Sequence, residues 1–366
     1  HKTAGRRAFA PQSPRLFKTR TNIPKEETSL EINGSTMGDK VLTIAVPSYN
    51  MENHLPKNLP TYADTRFGDA LEVIILDNAS TDRTAQIAQD FVDRFPQIFR
   101  LVRRDSRGYG SSINAAIEQA SGRYFRIVDA DDWVNKENLL NLIDKLRSCQ
   151  ADVVQTNYRK VSMVTKQEFP VRFRDVEYDH LYTEFSKCRL NAPCIHSTVY
   201  RTQVLQENGI TLQDKMFFVD EEYVILPFLY AKNVIFYDLD IYRYLVGNPT
   251  QSTSPQNRAK YAEHREKIVR RLIHVYKTAH MNEDVREYCF FRISQAAADH
   301  LTTLYMYLPD RKEGKRRALE WEREVRNEDE KMGNAIRKKA FLLRQLNGLH
   351  VGLENYERLK KLLLRK

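Results

Sequence analysis

A chain of 366 residues can hold one large domain or two, each with a sizeable core. Its 42% hydrophobic and 29% charged residues are ordinary globular composition. No apolar run approaches the roughly 18 residues of a membrane-spanning helix, so a polytopic membrane protein is excluded and a soluble or peripheral one is expected.

The net charge of +10 is the compositional oddity and points to an anionic partner or surface. The four cysteines, Cys149, Cys188, Cys194 and Cys289, lack metal-type spacing and read as buried thiols of a reducing compartment. The nine histidines form no ligand pair at helical spacing.

Residues 1–39 read as a leader outside the fold. From His1 to Pro24 there are six basic residues and no acidic one, with Pro, Ser and Thr interspersed. Such a stretch is either an organellar-type transit sequence or vector-derived, and Gly34-Ser-Thr-Met37 favours the second, with a native start at Met37.

From Val41 the pattern alternates strand and helix. Val41 to Tyr49 is a predicted strand carrying Val46-Pro-Ser-Tyr-Asn50, with Pro47 expected near the end of its ladder. Leu71-Glu-Val-Ile-Ile-Leu76 is a nearly continuous apolar run, as a strand buried on both faces should be, and it ends in Asp77-Asn-Ala-Ser-Thr-Asp82. Ser80, Thr81 or Asp82 can cap the helix that follows. A third strand spans Phe99 to Arg103, and Gly108-Tyr-Gly-Ser-Ser-Ile-Asn114 opens a third helix.

A fourth strand, Tyr124 to Val128, runs straight into Asp129, Asp131 and Asp132. Carboxylates this close repel one another unless a cation shares their charge. Oxygen ligands at the carboxyl edge of a sheet suit Mg²⁺ or Mn²⁺ beside a substrate diphosphate. The plainer reading is an Asp-rich cap of the helix expected from about Val134.

Gly108-x-Gly110 lacks the third glycine of a dinucleotide fingerprint and does not follow the first strand, so a nicotinamide or flavin site is rejected. These glycines mark either a tight turn or a close backbone approach to a ligand. Further strands are expected over Asp152 to Tyr158, Val171 to Tyr178 and Cys194 to Tyr200, with a long strand or strand pair over Val234 to Leu245. Asp220, Glu221 and Glu222 open an apolar helix, either as charges favouring its dipole or as a carboxylate base held beside apolar residues. Beyond Pro255 the chain is helical and increasingly basic. The domains read as leader 1–39, catalytic domain 40–254 and helical region 255–366.

Together, Val46-Pro-Ser-Tyr-Asn50, Asp77-Asn-Ala-Ser-Thr-Asp82, Gly108-Tyr-Gly110 with Asn114, Asp129-Ala-Asp-Asp-Trp133 and Val219-Asp-Glu-Glu-Tyr223 resemble, in order, glycosyltransferase family 2 of bacterial type, over about Val41 to Ser254. The resemblance implies the GT-A fold of nucleotide-diphospho-sugar transferases, an α/β architecture with a mostly parallel sheet flanked by helices. It implies metal-dependent, inverting transfer of a hexosyl or N-acetylhexosaminyl group from a nucleotide-diphosphate sugar, a UDP-sugar favoured, to an acceptor hydroxyl. The expected setting is synthesis of cell-surface polysaccharide, glycolipid or teichoic-type polymer.

By resemblance Pro47, Tyr49, Asn50 and Asp77 surround the base and ribose, and Gly108, Asn114, Ala130 and Ser252 complete the nucleotide-sugar set. Asp129 lies on the ribose side and Asp131 holds the Mn²⁺ or Mg²⁺, with Asp129 as a further ligand. Asp220 aligns with the family's base, and Glu221 is its competitor, because Val219 stands where relatives have Glu. Relatives also have a basic residue before the Ser matched by Ser252. It is missing here, and Arg243 is the proposed substitute.

Two other classes fit the sequence less well. A sugar-1-phosphate nucleotidyltransferase wants a glycine-rich basic loop after the first strand, which Val46-Pro-Ser-Tyr-Asn50 is not. A catalytically inactive nucleotide-sugar-binding scaffold would not need both the carboxylate cluster and a candidate base. From Arg311 to Lys366 there are seventeen Lys and Arg against nine Asp and Glu. In the tail, Leu353, Tyr356, Leu359 or Lys360, and Leu363 fall near helical spacing, flanked by Arg358, Lys361, Arg365 and Lys366. That pattern is either a helix packed on the catalytic domain, a homo-oligomer contact, or an anionic membrane contact serving a lipid-linked or polyanionic glycan acceptor. The implied location is cytoplasmic, peripheral on the inner membrane face. No nucleic-acid partner is expected, because interleaved aromatics and a binding module are lacking.

Overall fold

The computed structural model describes residues 40–247, 251–252 and 254–363, with side chains to residue 360. The leader, Arg365 and Lys366 lie outside the described residues.

The apolar runs read from the sequence become the centre of one ten-stranded sheet. β1 (Leu42–Ser48) and β2 (Leu71–Asn78) are buried along their whole length, as strands covered on both faces must be. Between them lies the one-turn helix α1 (Leu55–Asn58). After β2 come α2 (Thr84–Arg94), β3 (Phe99–Arg104), α3 (Tyr109–Gln119) and β4 (Tyr124–Ile127). β3, β2, β1 and β4 lie side by side and all parallel, so β1, β2 and β4 end at one edge of the sheet.

Beyond β4 the sheet is mixed. β5 (Trp133–Val134), α4 (Lys136–Ser148), β6 (Val153–Ser162), β7 (Glu168–Val171), β8 (Leu181–Tyr182), α5 (Ser186–Asn191) and β9 (Thr198–Arg201) follow. Next are α6 (Thr202–Glu207), α7 (Asp220–Tyr223) and β10 (Val234–Val246). The order is β3-β2-β1-β4-β9-β6-β10-β5, with β9 antiparallel to both its neighbours and β6 parallel to β10.

The carboxy-terminal region is helical: α8 (Pro255–Lys260), α9 (Ala262–Thr278), α10 (Glu283–Thr302), α11 (Arg311–Glu328), α12 (Glu330–Gly348) and α13 (Leu353–Leu363). Ser254, Asn282, Asp310 and Asp329 each cap a helix with a side-chain oxygen. α9 packs on both α7 and α10, which brings this region to the sheet domain.

Several local expectations are corrected. The strand expected over Val171 to Tyr178 stops at Val171. There the backbone donors of Phe173 and Arg174 turn to the side-chain oxygens of Asn157 (3.2 Å) and Asn191 (2.7 Å) instead of a ladder. Cys194 to Ser197 is a turn closed by Ser197 N–H donating to Cys194 O, and the strand begins only at Thr198. The helix after Asp220 lasts four residues, because Pro227 starts a separate short turn that cannot continue it. Asp132 is not the cap of α4; Asn135 is, accepting from Asn138 N–H at 2.9 Å.

Candidate active site

The loops after β1 and β2 are stitched together by the side chains of Asp77-Asn-Ala-Ser-Thr-Asp82. Asn50 N–H donates to Ser80 Oγ (3.0 Å), Glu52 N–H to Asp82 Oδ2 (3.1 Å) and Thr81 N–H back to Asn50 Oδ1 (2.9 Å). Asn50 has φ 51°, a left-handed conformation that Asn tolerates better than most residues. Asp82 accepts from Thr84 N–H at the start of α2. Pro47 is buried in β1 and Tyr49 lies beyond its end, with the Arg107 guanidinium 4.2 Å from its ring centre. Asp77 is almost fully buried; Ser80 N–H donates to it at 3.1 Å, and Arg103 stands 3.9 Å away on β3.

The glycine turn before α3 approaches protein. A Cβ at Gly108 would lie 2.0 Å from Asp214 Oδ1, and one at Gly110 would lie 2.0 Å from the Gln213 carbonyl oxygen. Asn114 accepts from Leu212 N–H (2.8 Å) and donates to Leu212 O (2.9 Å), so its amide is committed to the same segment. The close approach that these glycines allow is to residues 212–214 of the chain itself. In the structure Gly108 and Asn114 seat that segment.

The third loop carries the carboxylates. Tyr109 Oη donates to Asp129 Oδ1 at 2.6 Å. Burial first, then the Asp131 carboxylate and more weakly Asp220, push Asp129 up to about 7, against the pull of the Tyr109 bond. Asp131 is likewise raised by burial, with His54 opposing. Ala130 is buried between them. Asp132 is spent inside the protein: it accepts from Tyr242 Oη (2.6 Å) and Leu245 N–H (2.7 Å), and burial raises it well above the usual range. Tyr242 Oη also accepts from Asp129 N–H at 3.1 Å, and Asn58 donates to the carbonyls of both Asp129 and Asp132. β10 and α1 therefore clamp the turn that presents Asp129 and Asp131.

The acids of α7 take three different paths. Glu222 is fully buried, accepting from Gln213 N–H (2.8 Å) and Gln213 Nε2 (2.9 Å) and pairing with Arg271 (2.6 Å). Glu221 pairs with Arg292 at 3.4 Å. Asp220 is exposed and has no side-chain partner within ion-pairing distance among the described residues. Its charge adds to the rise of both Tyr109 and Asp129, after burial and the nearer acidic groups.

Two residues here escaped the sequence reading. His196 stacks on Tyr244 (4.0 Å, 23°), and its ring brings a nitrogen within 4.8 Å of ligand atoms of Asp129 and Asp132. Arg126, fully buried beneath the turn, meets the carbonyl of His196 and Thr156 Oγ1 (3.1 Å), and burial lowers it to about 10. Neither lies near its partners in sequence. The proposed role of Arg243 does not hold: it is buried in pairs with Asp240 (3.2 Å) and Glu168 (3.4 Å). Ser252 is half-exposed in the turn before α8, tied down by its neighbour Gln251, whose amide meets the carbonyl of Leu245.

A parallel-to-mixed sheet whose fourth strand ends in clustered carboxylates is the architecture of the GT-A class of nucleotide-diphospho-sugar transferases. Residues 43–209 match the family model described as glycosyl transferase family 2. The chain carries a glycosyltransferase family 2 domain over those residues.

It is 26% identical over 168 residues to Glycosyltransferase GlyA of Streptococcus pneumoniae, covering 46% of this chain and 23% of that protein. It is 26% identical over 181 residues to Poly(ribitol-phosphate) beta-N-acetylglucosaminyltransferase TarS of Staphylococcus aureus, covering 48% and 30% respectively. The chain thus spans less than a third of the length of either relative. In fold it is similar to the S. aureus TarS structure in complex with UDP (TM-score 0.59, 20% identity, covering 83% of this chain and 91% of that one). It also resembles mannosyltransferase PcManGT of Pyrobaculum calidifontis in complex with GDP-Man and Mn²⁺ (TM-score 0.50, 16% identity, covering 86% and 90%).

Proposed function

We propose that this chain transfers a hexosyl or N-acetylhexosaminyl group from a nucleotide-diphosphate sugar, a UDP-sugar favoured, to an acceptor hydroxyl with inversion. The observation that carries the reading is the carboxylate turn after β4, where Asp129 is held by Tyr109 Oη (2.6 Å) and its N–H by Tyr242 Oη (3.1 Å) beside Asp131, together with the exposed Asp220 at the start of α7. The loops of Tyr49 and Asp77 bind the nucleoside at the edge where β1 and β2 end. Asp129 and Asp131 would hold Mn²⁺ or Mg²⁺, and their fit rests on hard oxygen donors that burial has left short of compensating charge. When bound, the ion supplies charge neutralisation at the departing diphosphate. Asp132 serves the turn instead, because both its oxygens are engaged.

In the transfer step Asp220 takes the proton of the acceptor hydroxyl as its oxygen bonds the anomeric carbon. The bond from that carbon to the diphosphate oxygen breaks on the opposite face, and nucleoside diphosphate leaves. Attack from the face opposite the leaving group is what inverts the centre. The similarity to TarS supports a cell-surface, teichoic-type glycan as the acceptor class. Among the described residues no helix is long and apolar enough to cross a membrane. We read the chain as a cytoplasmic protein that meets the inner membrane face through its basic helices.

The test is nucleoside diphosphate release from a panel of UDP- and GDP-sugars with and without Mn²⁺, using wild type and Asp220→Asn. Metal-stimulated turnover that falls roughly a hundredfold in the variant, with donor binding kept, is expected. Full activity in Asp220→Asn would remove Asp220 from the role.

A further inference from the structure

The two acids that compete for the role of base are distinguished by arginines from outside the region matched to the family. Arg292 on α10 is 8% exposed and pairs with Glu221 at 3.4 Å; its Nε has no hydrogen-bond partner. Arg265 on α9 is 8% exposed as well, lies 4.3 Å over the ring of Phe218, two residues before Asp220, and pairs with Asp299 at 3.7 Å. Its Nε and Nη1 make no hydrogen bond. Two guanidinium groups this deeply buried are costly unless anions stand near them. The anions available are the neighbouring pair at the start of α7, together with Asp299.

We infer that Arg292 and Arg265 are positioning residues of the transferase site: Arg292 holds Glu221 out of the reaction by ion pairing, and the two cations keep the unpaired Asp220 in its ionised, proton-accepting form. The helical carboxy-terminal region is thereby part of the catalytic apparatus. This rests on the reading of Asp220 as base.

The charged and titratable groups that act on Asp220 are Arg265 and Arg292 from the helices and Glu221 beside it, and Asp220 acts in turn on Tyr109 and Asp129. Those facing Glu221 are Arg292, Asp220, Arg265, Asp299 and Tyr288. Desolvation by the surrounding protein raises the Asp220 carboxyl, and Arg265 and then Arg292 oppose that rise. Removing a cation must therefore move the carboxyl upward, and removing the neighbouring anion must move it downward.

The experiment is the pH profile of kcat for sugar transfer in Arg292→Gln, Arg292→Lys, Arg265→Gln and Glu221→Gln, with folding followed by thermal melting. The acidic limb should move up by about one pH unit in each Gln variant of the arginines and return in Arg292→Lys. Glu221→Gln should remain active, with its limb moved to lower pH. That variant keeps the inference open to test even where an arginine variant fails to fold. A limb that stays in place in folded arginine variants, or an equal loss at every pH without rescue by Lys, overturns the inference. So does an inactive Glu221→Gln, which would make Glu221 the base. Asp220→Asn separates the two readings: if it keeps transfer, the base assignment itself has failed.

Discussion

Tyr109 Oη donates a 2.6 Å hydrogen bond to Asp129 Oδ1, tying the glycine turn of α3 to the carboxylates after β4. Burial keeps this phenol well above its usual pKa, so it remains a donor throughout the working pH range. A bond to a charged acceptor contributes about 1.5–3 kcal/mol. Tyr109→Phe should therefore weaken Mn²⁺ binding at pH 7 roughly tenfold or more, because Asp129 loses the donor that holds its pKa down. Part of the loss should return at pH 8.5. Calorimetric titration at both pH values checks this, and equal affinities for wild type and variant would show that Tyr109 does not support the carboxylate.

Asp129 also sets a pH dependence whose sign can be worked out. Its pKa is about 7 in the folded protein and about 4 when unfolded. The folded state therefore holds the extra proton between these values. This contribution to stability is complete below pH 4 and is lost as pH rises through 7. A bound divalent ion relieves the repulsion that remains at high pH, so the Tm gain on adding Mn²⁺ should grow from pH 6 to pH 8. Binding should also release close to one proton at pH 6 and almost none at pH 8.5. Comparing Tm with and without the ion at each pH cancels the opposite contribution of His196, which burial lowers to about 3. A gain that is flat with pH would argue that Asp129 is not a ligand.

The seating of α3 on residues 212–214 is a packing requirement. At Gly110 an added Cβ would meet the Gln213 carbonyl at 2.0 Å, so Gly110→Ala must push that backbone away. Overpacking of this kind costs about 1–3 kcal/mol. Displacement of Gln213 would also disturb its two hydrogen bonds to Glu222, at the start of the helix that carries Asp220. Lower Tm together with reduced kcat is expected. Unchanged melting would show that the segment gives way freely.

Much of this was legible in the sequence, for physical reasons that can be named. β1 and β2 read as strands because a segment covered on both faces must be apolar throughout, and both are. The carboxylate cluster was legible because three acids after an apolar strand are costly without a reason. What could not be read was how neighbouring acids divide their work. Asp132 differs from Asp131 only through Tyr242 and Leu245, more than a hundred residues away, and Glu221 from Asp220 only through an arginine on α10. His196 sat in an apolar stretch that resembled a strand, and its turn brings it to the carboxylates only once β9 is inserted between β4 and β6.

The basic carboxy-terminal helices carry the last prediction. In α13 Tyr356 is half-buried and Glu357 meets Tyr307 Oη, so part of the expected stripe is packed on the protein, while Leu359 stays 44% exposed. The clearer surface lies on α12. Its inward side is Met332, Gly333, Ile336, Ala340, Leu343 and Asn347. On the opposite side of the helix, Phe341 (61%) and Leu342 (53%) are exposed one turn after Arg337 and Lys338, with exposed Lys331 near the helix start, and Leu349 is exposed just beyond its end.

Apolar side chains set among cations with no acid between Lys331 and His350 suit the interface of an anionic bilayer. A cation at such a surface contributes about 1 kcal/mol, so three acting together change binding by on the order of a hundredfold. The protein should therefore co-sediment with phosphatidylglycerol-containing vesicles and not with phosphatidylcholine alone, and binding should weaken as salt rises. Phe341→Ser with Leu342→Ser should reduce binding without lowering Tm, since neither side chain is buried. Equal recovery with both vesicle types, or no effect of the double substitution, would sink the membrane reading. A concentration-dependent mass in light scattering that the same substitutions abolish would assign the face instead to contact between copies of the chain.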